Sequence, residues 1–124
     1  MFRPFLLVYL DGPQFKIQIE AIAEEKKVDY YFATRGDQLS QFIKTYVPFL
    51  MLVDLSGLDL GWLFRHISTI KNMRPNFPIC VMVPEEQEAL RFRAEKYGCD
   101  KIIAKSELIQ ELPDMIENAL RKTS

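Results

Sequence analysis

The chain has 124 residues and a mass of 14.5 kDa, enough for one domain with a real core and too little for two. Hydrophobic residues make up 48% and charged residues 27%, the balance of an ordinary folded protein, which excludes disordered, collagen-like and coiled-coil chains. Sixteen Lys and Arg stand against seventeen Asp and Glu for a net charge of −1; with no long basic block, this argues against nucleic-acid binding and for proteins or small ions as partners.

Phe5 to Leu10 is a continuous apolar run stopped by Asp11-Gly12-Pro13, the pattern of a strand buried on both faces. Pro13 suits a first helical position, and Phe15, Ile19 and Ile22 recur at helical spacing through Gln14 to Lys27. Asp29 to Thr34 is aromatic-rich and bounded by Arg35-Gly36, a second strand. Asp37 can then cap a helix carrying Leu39, Phe42, Ile43 and Tyr46, closed by Pro48. Tyr30 and Tyr31 alternate along their strand, so one is expected under each helical cover. Phe49 to Val53 repeats the opening pattern and again ends in an acid, Asp54. Leu63, Phe64, Ile67 and Ile70 mark a third helix from roughly Gly61 to Lys71, broken by Pro75 and Pro78 before the strand Ile79 to Val83. Glu85 to Tyr97 reads as a fourth helix with Leu90, Ala94 and Tyr97 inward and Gly98 as its cap. Lys101 to Ala104 is a fifth strand, and Ile109 to Arg121 a last amphipathic helix. Five strands and five helices in strict alternation predict an α/β domain: an open parallel sheet covered on both faces.

Chemistry in such sheets lies beyond the carboxyl ends of the strands. Those positions hold Asp11, Arg35, Asp54, Val83-Pro84-Glu85 and Lys105-Ser106. Asp11 and Asp54 would close neighbouring strands, so their carboxylates can converge on a hard cation such as Mg2+, with Lys105 adding a positive charge. An aspartate between two cations can accept a phosphoryl group as an acyl phosphate. The competing reading is structural: both acids precede helices and can cap them, and Lys105 can be an ordinary ion-pair partner.

Taken together, these residues resemble the receiver domain of bacterial two-component response regulators. The likeness is carried by the strand ending in Asp11, by Leu52-Val53-Asp54-Leu55, by Pro78 to Met82, and by Tyr97-Gly98-Cys99-Asp100-Lys101-Ile102-Ile103-Ala104-Lys105. It spans essentially the entire chain. Spacings of 43 residues from Asp11 to Asp54, 29 from Asp54 to Val83 and 51 from Asp54 to Lys105 agree with the family's. The resemblance implies a single receiver-like domain over 1–124 with a flavodoxin-like (βα)5 doubly wound sheet of five parallel strands in the order 2-1-3-4-5. It implies Asp54 as phospho-acceptor, Lys105 as the contact to phosphoryl oxygens, and Asp11, Asp54 and the Ser56 backbone carbonyl as ligands of a weakly held Mg2+. A histidine kinase or phosphotransfer protein would supply the phosphoryl group, and a downstream protein or fused output domain would receive the signal. Any activity is at most Mg2+-dependent self-phosphorylation from a phosphodonor and autodephosphorylation.

Several positions depart from the family. Asp11 is flanked by Leu10 and Gly12 where a second acid is usual, with Glu85 a candidate stand-in. Val83 replaces the Ser or Thr whose hydroxyl meets the phosphoryl group, a loss of about 1.5–3 kcal/mol of hydrogen bonding to a charged oxygen. Ile102 replaces the switch aromatic. Ser106 replaces a proline, so a trans peptide becomes the default after Lys105. Two functions stay open. One is a phosphorylatable receiver that alters the face built by its fourth and fifth helices and fifth strand, also a candidate homodimer surface. The other is a pseudo-receiver, a protein-binding scaffold in which Asp54 and Lys105 form a static ion pair.

The remaining features are read more simply. The loop after the first strand lacks the hydroxyl- and glycine-rich turn of a flavin carrier. Asp11 has no second Asp two residues on, as a dehalogenase-type phosphatase needs, and Cys80 has no Arg six residues later, as a tyrosine phosphatase needs. Trp62 and Phe64 are either core or a partner surface. The mixed charges of Glu85 to Lys96 are either a dimer face or a solvated helix with i,i+4 pairs. Cys80 and Cys99 lack metal-ligand spacing, and His66, expected at a helix surface, does not complete a zinc site, so a reducing cytoplasm fits. Cys80 is expected to be inert packing and Cys99 more accessible. No apolar run reaches the roughly 18 residues of a membrane span, and Phe5 to Leu10 ends too soon for a signal peptide.

Overall fold

The computed structural model describes residues 5–10, 15–33, 43, 46, 48–55, 60–84 and 88–123. Strands β1 (Phe5–Tyr9), β2 (Asp29–Ala33), β3 (Leu50–Asp54), β4 (Ile79–Val83) and β5 (Lys101–Ala104) form one sheet in the order β2-β1-β3-β4-β5. Every pairing is parallel, in the registers Leu7 to Tyr31, Val8 to Leu52, Asp54 to Met82 and Val83 to Ala104. Among the described residues the helices are α1 (Lys16–Glu25), α2 (Leu60–Met73), α3 (Glu88–Lys96) and α4 (Leu108–Thr123), the last entered through a 3-10 turn, Lys105–Glu107. The predicted helix over 37–46 lies outside the described residues except for Ile43, which is buried, and Tyr46.

The alternation of side chains along each strand sorts the core into two layers. Leu7, Met51, Val53, Ile79, Val81 and Val83 pack against Leu63, Phe64, Ile67 and Ile70 of α2 and Leu90 and Ala94 of α3. On the other face, Leu6, Val8, Leu52, Cys80, Met82 and Ile103 meet Ile19 and Ala23 of α1 and Leu112, Ile116 and Ala119 of α4. The inner strands β3 and β4 are buried at all five positions, so both are apolar throughout except at Asp54, the last residue of β3. Cys80 is inert packing as expected: burial pushes its thiol up to about 12, and Cys99 is pushed up likewise.

Three expectations on side-chain placement fail. Phe15 does not lie within the first helix but caps it in the left-handed region, at φ 68°. Tyr30 is covered, meeting Phe32 edge-on at 5.7 Å, whereas Tyr31 is left exposed on the opposite face, because β2 is an edge strand. Tyr46, expected on an apolar face, is also exposed, with its ring edge-on to Phe5 at 6.0 Å. Gly98 caps α3 as predicted: its φ of 93° lets the Gly98 N–H reach Glu95 O at 3.1 Å and the Cys99 N–H reach Ala94 O at 3.2 Å, a Schellman closure.

The amino ends of β4 and β5 are fastened by Asp100. One of its carboxylate oxygens accepts the Ile79 N–H and the Lys71 ammonium, both at 2.8 Å, and Lys71 also donates to Phe77 O at 2.9 Å. This clasp sits at the far end of the sheet from Asp54. Its effect is to fix where β4 and β5 start, and so where their carboxyl ends stop.

Candidate functional site

β3 lies between β1 and β4, at the middle of the sheet. Its run Leu50-Met51-Leu52-Val53 ends in Asp54, the one buried polar or charged residue among the described residues. A carboxylate taken out of water this far is costly unless a cation or donors meet it. The cation comes from two strands away. Strands so placed are roughly 9.6 Å apart, and the Lys105 stem, starting just past β5, spans β4 to put Nζ 3.1 Å from Asp54 Oδ2. The Asp54 side chain is 4% exposed and that of Lys105 21%, so the pair is sealed on the aspartate side and open to water on the lysine side.

The β4 wall is apolar. Val83 is buried at the end of β4, level with Ala104 and one step past the Asp54–Met82 pairing. It packs in the layer under α2 and α3 and carries no hydrogen-bonding group. Ile102, half-buried, packs against the same layer. The two sequence positions that would relay a signal are therefore both joined to one hydrophobic cluster. Among the described residues, the next helix, α2, is described from Leu60. No cis peptide occurs among the described residues, in keeping with Ser106 after Lys105.

Of the predicted site residues, the fold brings Asp54 and Lys105 together and sets Val83 beside them at the strand ends. Asp11, Ser56, Arg35 and Glu85 lie outside the described residues. Asp54 offers the hard oxygen donors that Mg2+ takes; the described residues hold no group of three or more His, Cys, Asp or Glu placed to bind a metal. Sequence reasoning missed Glu107, whose carboxylate Oε1 accepts the Ala104 N–H at 2.9 Å. The available signal was a carboxylate in the third helical position, where capping acids fall. Trp62 is half-buried against the core and meets His66 edge-on at 4.3 Å, while Phe64 is fully buried and stacks on Tyr97 at 4.9 Å. A cavity of about 180 Å3 opens at the amino end of the sheet, lined by Leu50, Ile79, Asp100, Met115 and Lys122 among others, far from the Asp54 pair.

No family model and no curated protein matches the sequence. Solved structures do match in shape. A response regulator receiver domain protein from Clostridium thermocellum is 19% identical, with 97% of this chain and 96% of that one covered at a TM-score of 0.79. A response regulator from Thermotoga maritima is 15% identical over 97% of this chain and 99% of that one at 0.80. The receiver domain of a Francisella response regulator is 20% identical over 98% and 99% at 0.79. Over 97–98% of its length, and despite identities of a fifth or less, the chain has the fold of response regulator receiver domains, with a buried aspartate paired to a lysine at the carboxyl end of its sheet.

Proposed function

We propose that the chain is a receiver that accepts a phosphoryl group on Asp54. What carries the reading is one observation: a buried carboxylate ends the central strand of a receiver fold with a lysine ammonium 3.1 Å away. In the step proposed, an Asp54 carboxylate oxygen attacks phosphorus, the bond from phosphorus to the donor's leaving atom breaks, and the electron pair departs with that leaving group. Lys105 offsets charge on the transferred oxygens, and its 21% exposed side is where a donor would approach. Bound Mg2+ would supply further charge neutralisation, held by Asp54 together with Asp11 and the Ser56 carbonyl. The donor is a histidine kinase or a phosphotransfer protein, in a cytoplasmic setting. The described residues contain no helix long and apolar enough to cross a membrane.

The output face is built by α3, β5 and α4. Phe92 on α3 is 71% exposed there, and Arg91 Nη1 donates to Ile102 O on the β5 edge at 3.1 Å. A downstream protein, a fused output domain or a second copy of the chain docks on this face. One neighbour in shape, NtrX from Brucella abortus, is matched over only 27% of its own length.

Val83 and Ile102 favour a second reading. Neither can hydrogen-bond through its side chain, so a pseudo-receiver with a permanent Asp54–Lys105 pair would lose nothing at these positions. Intact mass after incubation with acetyl phosphate, with and without Mg2+, decides between them. A Mg2+-dependent phosphoryl adduct present in the wild type and lost in Asp54→Asn supports the receiver. No adduct under either condition supports the scaffold.

A further inference from the structure

We propose that Glu107 is a positioning residue that holds Lys105 on Asp54. The chain leaves β5 at Ala104 in an extended conformation, φ −72° and ψ 148°, and bends at once into the 3-10 turn Lys105–Glu107. Lys105 is thus the first residue past the strand, and the direction of its stem is set by where the bend starts. At that bend the Ala104 N–H donates to Glu107 Oε1 at 2.9 Å. The bond closes a small ring over Lys105 and Ser106 and satisfies a backbone donor at the start of a helical run. Ser106 leaves φ of the residue after Lys105 unlocked, where a proline would fix it. The carboxylate supplies the missing constraint from one residue further on.

The consequence falls on the ion pair because the lysine stem must cross β4 to reach Asp54. A bend that starts one residue later would swing the stem toward solvent, on the side where Lys105 is already open. Glu107 does this under either reading of Asp54, so it can be tested without any phosphodonor.

The test is hydrogen exchange of the Lys105 Nζ ammonium in the full chain, followed by 15N NMR, with the signal assigned by its loss in Lys105→Met. Exchange should accelerate roughly three- to tenfold in Glu107→Ala, the ratio set by one ordinary hydrogen bond. Glu107→Gln keeps an acceptor oxygen at the same reach and should match the wild type. Glu107→Asp, one methylene short, should follow the alanine variant. Backbone amide exchange in β1 and α1 should not change. Equal ammonium exchange in wild type and Glu107→Ala overturns the proposal. So does a Gln variant as fast as Ala, which would make charge rather than the bond responsible, or a parallel rise in β1 amide exchange, which would make Glu107 a stabiliser of the whole fold. If Glu107→Ala does not fold, the Gln and Asp variants decide alone, and equal exchange in those two overturns it.

Discussion

Removing Lys105 should destabilise the fold more than neutralising Asp54, because the two ends of the pair are unequally buried. In Lys105→Met the stem is kept and the charge removed, leaving a carboxylate that is 4% exposed without its ammonium. Uncompensated buried charges cost about 3–5 kcal/mol; with water able to enter along the side Lys105 vacated, about 2–4 kcal/mol is the expected loss. Asp54→Asn leaves an ammonium that is 21% exposed and can turn to solvent, for a cost of about 1 kcal/mol or less. In the double variant the buried charge is gone, so Lys105→Met should cost far less there, with a coupling energy of about 1–3 kcal/mol. Urea denaturation of all four proteins reads this directly: at a slope of about 1.5 kcal/mol per molar, a loss of about 3 kcal/mol moves the midpoint by about 2 M. A coupling energy near zero, or an Asp54→Asn variant less stable than Lys105→Met, would refute the account of the pair.

Lys27 sits at φ 60° in the same Schellman geometry as Gly98, its N–H reaching Glu24 O at 3.1 Å while the Val28 N–H reaches Ala23 O at 3.0 Å. Lys27→Gly should therefore raise stability by about 0.5–1 kcal/mol. Gly98→Ala should lower it by about 1 kcal/mol, and from backbone strain alone, since an added Cβ would meet Lys71 Cγ at an unstrained 3.6 Å; both are read from urea midpoints. The Cys80 thiol gives a pH dependence. Its ordinary value is 9.0 and burial raises it to about 12 in the fold, so between these values the unfolded chain has lost a proton that the folded chain keeps. Stability from this group is whole below about pH 9 and falls as pH rises, by on the order of 2 kcal/mol at pH 10.5; the decline should be shallower by that amount in Cys80→Ala. Val83→Thr buries a hydroxyl and should cost about 1–2 kcal/mol in the resting chain. Under acetyl phosphate and Mg2+ that cost should shrink by about 1.5 kcal/mol or more as the hydroxyl meets a charged oxygen, and an equal cost in both conditions would count against a phosphoryl group beside β4.

The sheet was legible because burial on both faces forces an uninterrupted apolar run. Phe5 to Leu10, Phe49 to Val53 and Ile79 to Val83 each gave a strand within a residue of its observed bounds. The helices gave their inward faces, Leu63-Phe64-Ile67-Ile70 above all, but not all of their ends. α1 begins at Lys16 rather than near Pro13, because Phe15 takes a left-handed conformation that its composition does not announce; an aromatic residue is a poor candidate for positive φ. Tyr31 was misplaced for a different reason. Period-two alternation assigns a face, and only the tertiary arrangement says whether that face of an edge strand is covered. At the site, Asp54 and Lys105 could be named as candidates from their places at strand ends, but spacing alone left capping and ion pairing open beside phosphoryl acceptance. Glu107 carried only the general signal of an acid three residues into a helical run, because its role rests on a backbone bend and not on its distance from Asp54.

The two functional readings part on charge. In the resting chain one carboxylate meets one ammonium, so the pair is neutral. A phosphoryl group would add roughly −1.5 to −2 of charge and three acceptor oxygens beside a β4 wall whose last side chain, Val83, carries only methyl groups. In a receiver with a hydroxyl there, part of that charge is drawn to the strand and the strand feels its arrival. Here the charge would have to be met by Lys105, backbone N–H groups and a bound cation, which would make an acyl phosphate strongly dependent on Mg2+ and leave the Val83 side chain no polar bond to exchange. The pull would fall instead on Lys105, and through it on the turn at Ser106 and Glu107 that opens α4. The scaffold reading needs none of these movements, since the resting pair already neutralises Asp54. A phosphodonor should therefore change amide exchange around residues 104–108 in a receiver and leave it unchanged in a scaffold.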